Sequence, residues 1–320
     1  MHRRTALAAL AALLAPGAAW AQAWPSRPIR LVIPYPPGGG TDTLARPWAE
    51  RMRARLGQPL VIENRGGAAT NIGMEAAARA AADGYTLAIN ADNIAYFPHL
   101  YRRMPYDLFR DFTPVAYLAE TPLVVAINPA VPARNLREFV ALAKASPERY
   151  SFANPSIGSP HHMGFELLAR EAGIRLVQAE YRGGGPAMND VLAGHVHLGV
   201  FSLGSVTQHF AAGTLRPLAL LSARRSAAAP EIPTTAEEGL PRVVNALRFL
   251  LFAPAGTPRE VVAALHAATV EALADPALRD QLTRAGFEIT PSTPEEALAM
   301  LRTEHDRWAE ILPALNLRLD

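Results

Sequence analysis

Hydrophobic residues in this chain fall in short runs, each followed by a small or glycine-rich loop and then by a stretch with helical spacing. The first run, residues 29–33, enters Pro34-Tyr35-Pro36-Pro37-Gly38-Gly39-Gly40-Thr41-Asp42. A helix is predicted to leave this loop near Thr41 or Asp42 and to stop at Gly57, with a kink or irregular turn at Pro47. Residues 60–63 form a second strand into the loop 64–71, followed by a helix over 72–82 that Asp83-Gly84 stops. Residues 85–89 form a third strand, leading into Asn90-Ala91-Asp92-Asn93. Residues 98–112 read as an irregular excursion, 115–118 and 123–127 as two separate strands, and 135–145 as a helix with Asn135 as its N-cap.

A second series follows the same rule. Strands over 150–153, 176–179 and 196–201 enter the loops 154–161, 181–186 and 202–205, and each loop opens a helix. Another strand follows at 215–221. Repeated strand, loop, helix units predict parallel α/β sheets, and in open sheets the loops after the strand C-termini gather on the edge where ligands bind. Two successive series predict two α/β lobes facing each other. A strand over 246–252 and helices over 259–274, 276–285 and 293–312 complete the chain. Periodicity leaves open which lobe these last helices join.

The N-terminus changes the picture of the mature chain. Met1-His2-Arg3-Arg4 is basic, residues 5–15 are apolar but too short to span a bilayer, and Ala19-Trp20-Ala21 fits a cleavage site, with Ala21-Gln22-Ala23 as an alternative. Residues 1–23 are therefore expected to be a secretory signal peptide, and the mature protein to be exported. Half of the 320 residues are hydrophobic, 19% are charged and the net charge is +2, so a large core is expected. No dense basic run with interleaved aromatics points to nucleic acid. Cysteine is absent, which excludes disulfides, thiol catalysis and thiolate metal sites.

The glycine loop carries the first chemical hint. Three glycines let the backbone bend and a ligand approach closely, and a helix start presents bare N–H groups that favour an anion. The Lys-Ser/Thr of a phosphate-binding P-loop is missing, so a carboxylate is the expected guest.

Beyond composition, a set of motifs is similar to the extracytoplasmic solute receptors of tripartite tricarboxylate transporters, the Bug family. These are Trp24-Pro25-Ser26-Arg27-Pro28-Ile29-Arg30, the proline-glycine loop, Glu63-Asn64-Arg65, Asn71-Ile72-Gly73, Asp83-Gly84-Tyr85-Thr86-Leu87, Pro105-Tyr106-Asp107, Asp111-Phe112, Val131-Pro132-Ala133 and Leu251-Phe252-Ala253-Pro254-Ala255-Gly256-Thr257-Pro258. The resemblance covers essentially the whole mature chain. It implies a type II periplasmic binding protein fold, with lobe 1 formed by 24–125 plus 247–320 and lobe 2 by 126–246. It also implies a periplasmic, non-enzymatic receptor, expected as a monomer without cofactor, that passes a small carboxylate to integral-membrane subunits.

The same resemblance suggests site residues. Pro37, Gly38, Gly39, Gly40, Thr41, Asp42, Arg65, Gly67 and Asn71 would line the first-lobe loops that hold one carboxylate, with Asp92 after the third strand. Across the cleft stand Asn154, Ser156, Ser159, His162, Tyr181, Gly183 and Gly184. Asp42 either receives a ligand ammonium or caps its own helix. Ser202 falls where many members carry aspartate, which argues against a ligand amine. Arg248 falls where many carry tryptophan, and is either a bidentate carboxylate partner or a surface arginine.

Two other functions compete. His195-x-His197 and His161-His162 suggest a metal-binding receptor, but no third ligand is spaced to complete a site. Ser159 beside His161 and His162 suggests an exported hydrolase, but the Gly-x-Ser-x-Gly elbow and an orienting acid are missing.

Overall fold

The structure is a computed structural model that describes residues 24–315 and 317–319; the expected signal peptide lies outside them. The first apolar run becomes strand β1 (Ile29–Ile33), whose residues alternate between two buried faces. Ile29, Leu31 and Ile33 pack with Leu44, Trp48 and Met52 of helix α1 (Gly40–Leu56), while Val32 packs with Met74 of α2 (Asn71–Ala78) on the other side. Helices on both faces explain why the strand is apolar at every position but Arg30, which is half-buried and pairs with Glu63. Helix α1 continues through Pro47. The missing proline N–H leaves only the carbonyl of exposed Thr43 without its helical partner, and water can serve it.

Strands β2 (Leu60–Asn64) and β3 (Thr86–Ala91) flank β1 in parallel. Strand β9 (Ala246–Pro254) pairs antiparallel with β3, and β4 (Phe112–Ile127) pairs antiparallel with β9. In the second half β5 (Ser151–Asn154) lies between β6 (Val177–Glu180) and β7 (Leu198–Ser202), all parallel. The far end of β4 runs antiparallel to β7 on one edge and to β8 (Arg216–Leu220) on the other. The two halves thus share one order: β2-β1-β3-β9-β4 in the first, β6-β5-β7-β4-β8 in the second. Among the described residues all nine strands belong to one continuous sheet.

Strand β4 corrects the expectation of two short strands. It is a single run of 16 residues that crosses from one half to the other. Pro114 sits at a register shift opposite β9. Pro122 falls where β4 changes partner, being opposite Ala246 while Leu123 is already opposite Ser202. A missing N–H is tolerated at such places. The excursion over 98–112 also contains more structure than predicted: short helices α3 (Phe97–Leu100) and α4 (Leu108–Asp111), the second capped by Asp107.

The remaining helices cover the sheet. They are α5 (Leu136–Ala145), α6 (Pro160–Ala172), α7 (Gly184–Ala193) and α8 (Leu203–Ala211), then α9 (Arg259–Leu273), α10 (Pro276–Arg284) and α11 (Pro294–Leu315). Helix α9 packs on α1, and α11 on β4 and α3. The C-terminal helices therefore return to the first half, which answers the question that periodicity left open.

Candidate ligand-binding cleft

Every parallel strand ends in a loop that faces the gap between the halves, and five of the helices begin there. The N-cap residues Gly39, Thr70, Ser159, Gly183 and Ser202 of α1, α2, α6, α7 and α8 all line the gap. The space consists of two adjoining cavities of about 740 and 530 Å³ that share Gly38, Gly39, Gly40, Pro155, His161, Gly184 and Leu247. The first N–H groups of an α-helix have no partner within the helix, so these starts turn donors and positive dipole ends toward the cleft.

The glycine loop is held from behind. Gly38, at φ +87°, donates its N–H to Oδ2 of Asp42 at 3.0 Å. The same carboxylate accepts from Arg46 Nε at 2.6 Å, Arg46 Nη2 at 2.9 Å and Asn64 Nδ2 at 3.1 Å. The Arg46 hydrogen bonds, helped by those from Gly38 and Asn64, hold this carboxyl below the usual aspartate range. Asp42 is thus neither a free acceptor for an ammonium nor the N-cap. It lies three residues after Gly39, the N-cap, and reaches back to the loop.

The second loop is bent through Gly67, Ala68, Ala69 and Thr70, all at positive φ. Three consecutive non-glycine residues in that region are costly, about 1–3 kcal/mol each, and such strain gathers at functional sites. Asn90 ties this loop to the first: it accepts from Tyr35 Oη at 2.8 Å and donates to Thr70 Oγ1 at 3.2 Å. Behind them Asn93 is buried and lines the larger cavity, and its Oδ1 has no hydrogen-bond partner.

Across the gap, Asn154 shapes the loop from below. It is buried, accepts from Ser156 N–H at 3.2 Å and donates to Gln178 at 3.2 Å. Ser159 caps α6 through the His162 N–H, while His162 Nδ1 accepts from Gly158 N–H at 3.1 Å and its Nε2 pairs with Glu166. Tyr181 donates to Asp190 at 2.7 Å; burial and that carboxylate push its phenol up to about 12. His161 Nε2 meets Ser202 Oγ at 3.2 Å, and burial pushes this imidazole down to about 4, so it is neutral at pH 7. No Asp or Glu side chain lines either cavity among the described residues, and Arg182 is the charged side chain that does.

The predicted residues therefore divide. Pro37, Gly38, Gly39, Gly40, Thr41, Gly67, Ser156, Ser159, Tyr181, Gly183, Gly184 and Ser202 come together on the cleft wall. Asp42, Asn71, Asn154 and His162 are buried behind it, and Arg65 is exposed and paired with Glu63. Arg248 is corrected on both readings. It is 17% exposed and bonded to Asp92 at 2.9 Å, Glu304 at 3.2 Å and Glu120 at 3.3 Å, between the strands that join the halves. Asp92 is spent in the same cluster. Conversely, Asn93, His161 and Arg182 line the cavity and were not among the expected site residues. Of the histidines considered for metal, His195 stands beside Asp190 and His197 beside Ser151. Among the described residues no group of three or more His, Asp or Glu gathers as a metal site.

The halves also touch beside the cleft. Tyr96 Oη donates to the Gly158 carbonyl at 3.1 Å. Gly204 lies so close to the turn at Ala285 and Gly286 that a Cβ there would collide with the Ala285 carbonyl.

A cleft between two α/β halves of matching strand order, joined by long crossover strands, defines the class of two-lobed solute-binding proteins with a type II periplasmic binding protein fold. Residues 44–317 match the model of the tripartite tricarboxylate transporter family receptor, and the chain belongs to that family. The family is one of receptors, not enzymes. The chain is similar to the solved periplasmic binding protein BugD, 31% identical with a TM-score of 0.82, covering 92% of this chain and 99% of that one. It is similar to Rpa4515 of Rhodopseudomonas palustris, solved with adipate, at 32% identity and a TM-score of 0.84 over 92% and 99% of the two chains. MatC of the same organism, solved with bound malate, is 30% identical with a TM-score of 0.77 over 90% and 99%.

Proposed function

We propose that this receptor captures a small organic dicarboxylate without an amino group and hands it to the integral-membrane subunits of a tripartite tricarboxylate transporter. The observation that carries the reading is the convergence of five helix N-termini on a cleft lined, among the described residues, by no acidic side chain. The dipoles favour negative charge, and an ammonium would find no carboxylate to meet it. Adipate and malate in the two relatives belong to this chemical class.

Magnitudes show what else is needed. A helix terminus contributes about 0.3–1 kcal/mol to a nearby anion, so five give at most about 5 kcal/mol. Micromolar binding requires about 8 kcal/mol. Hydrogen bonds from loop N–H groups, Asn93 and Ser156, together with lobe closure, supply the remainder in this reading.

We assign the protein to the periplasm as a monomer, with residues 1–23 removed on export; the N-terminal pattern and the periplasmic relative support this. The lobes divide within β4 and β9, close to residues 125/126 and 246/247. The change of β4 partner at Pro122 and Leu123 supports a division close to there.

A thermal-shift panel tests the reading. Ligand at 100 times its Kd stabilises by about 2.7 kcal/mol, or roughly 5 °C for a chain of this size. Succinate, malate, adipate and longer diacids are expected to include one that reaches this shift, with aspartate and glutamate near zero. A panel in which only amino acids, sugars or metal ions shift the transition would overturn it.

A further inference from the structure

His161 stands at the join of the two cavities, on the first turn of α6, with its Nε2 3.2 Å from Ser202 Oγ. Its neighbour His162 is turned inward and committed to Gly158 and Glu166, so the two adjacent imidazoles have opposite fates. We propose that His161 contacts a carboxylate of the bound diacid and that binding is linked to the uptake of one proton by its imidazole. This inference rests on the carboxylate reading above.

The surroundings of His161 favour it as the group that titrates. From the loop after β6, Tyr181 and Arg182 face the same cavity; the tyrosine is committed to Asp190, and the arginine is a donor with no acceptor atom. From α8 come Ser202 and Ser205, and from α7 Gly184, Gly185 and Met188. The acid on α7, Asp190, is held by Tyr181 and His195. The glycine loop presents backbone, with the Asp42 carboxylate turned away to Gly38, Arg46 and Asn64. The crossover strands present Thr121 and Leu247, and Arg248 beyond them is neutralised by Asp92, Glu120 and Glu304. On its own helix, His162 pairs with Glu166. Among the described residues the cleft wall therefore offers no carboxylate to stabilise an imidazolium at His161, and burial disfavours it. A bound diacid brings the missing anion into the same cavity. The imidazole then takes a proton from a buffer acid or hydronium, whose conjugate base stays in solution, and gains a charge-assisted hydrogen bond to the ligand.

The sign of the linkage follows. The bound state holds more protons than the free state, so affinity rises as pH falls through the bound-state pKa of His161, by up to about tenfold per pH unit. Above that pKa affinity is flat. An affinity that weakens toward low pH contradicts the proposal.

Titration calorimetry of the wild type with succinate, malate and adipate, between about pH 6.5 and 8 where diacids are ionised, tests it. Repeating each titration in buffers of different ionisation enthalpy gives the number of protons taken up. The wild type is expected to take up a measurable fraction of a proton that grows as pH falls. His161→Gln is expected to bind the same diacid with uptake near zero and a flat pH profile; His161→Asn serves if the glutamine variant fails to fold, judged by its melting curve. Uptake that is absent in the wild type, or unchanged in both variants, overturns the His161 assignment while leaving the carboxylate reading intact. A protein that binds none of the diacids overturns both.

Discussion

Replacing Asp42 by asparagine tests whether the glycine loop is preorganised by the side chain behind it. Four donors converge on the Asp42 carboxylate: Gly38 N–H and Arg46 Nε on Oδ2, Arg46 Nη2 and Asn64 Nδ2 on Oδ1. Asparagine has one acceptor oxygen, so in either amide orientation its NH₂ faces two donors. Each hydrogen bond to a charged group is worth about 1.5–3 kcal/mol when buried. Arg46 is 52% exposed, so water replaces part of the loss. A net destabilisation of about 2 kcal/mol follows, which lowers Tm by roughly 4 °C at this chain length. Because the folded-state pKa of Asp42 is depressed, the stabilisation is present above the unfolded aspartate value of about 3.9 and is lost as pH falls through the folded value. The gap in Tm between wild type and Asp42→Asn is therefore expected to be constant from pH 8 to about 5 and to close in more acidic solution. Diacid affinity at pH 7 should fall about tenfold, since the loosened loop must be ordered on binding. Calorimetric melting and titration measure both. An unchanged Tm together with unchanged affinity at pH 7 would show that something other than Asp42 orders the loop.

Other outcomes follow from the same structure. Arg248→Gln leaves Asp92 and Glu120 without their cation and Glu304 with Arg307 alone, and removing one partner of a buried cluster costs about 3–5 kcal/mol; a melting curve like the wild type's would refute that role. Asn93→Ala removes a buried amide whose Oδ1 bonds to nothing; that oxygen only accepts, so affinity for malate, which brings a hydroxyl donor, is expected to drop about tenfold, the worth of one hydrogen bond, with adipate affinity and Tm nearly unchanged; the reverse pattern would make Asn93 structural. Gly204→Ala wedges a methyl between the lobes at the Ala285 carbonyl, and is expected to weaken diacid binding at least tenfold with little loss of stability. Equal affinity there, by titration calorimetry, would mean that this contact is not made in the bound form.

Much of this architecture was legible because strands, loops and helices alternate with clean punctuation at Gly57, Gly173 and Gly194, each a left-handed C-cap. Strand β4 was not, since Pro114 and Pro122 read as breaks and only the identity of its two partners reveals why both are tolerated. The cleft wall was largely legible at the level of loops, because loops after parallel strands must gather on one edge. Individual side chains were harder. Asp42 and His162 each lie three residues after an N-cap, Gly39 and Ser159, and both side chains turn back to the N–H of the residue before the cap, Gly38 and Gly158. That is close to the spacing of a capping box, and it was a signal available in the sequence. By the same geometry the next-door His161 faces outward. Arg248 and Asp92 are too far apart in sequence for any pattern to pair them, and Asn93 is marked only by its unbonded oxygen.

The central claim concerns what occupies the cleft, and native mass spectrometry of the protein purified from a cell's periplasm tests it most directly. The mass difference between the folded protein and the denatured chain reports the retained ligand. One equivalent of a small organic acid without nitrogen is expected, displaced by excess diacid. Retention of an amine-bearing solute, a sugar or a metal ion in that place, undisplaced by any diacid, would contradict it.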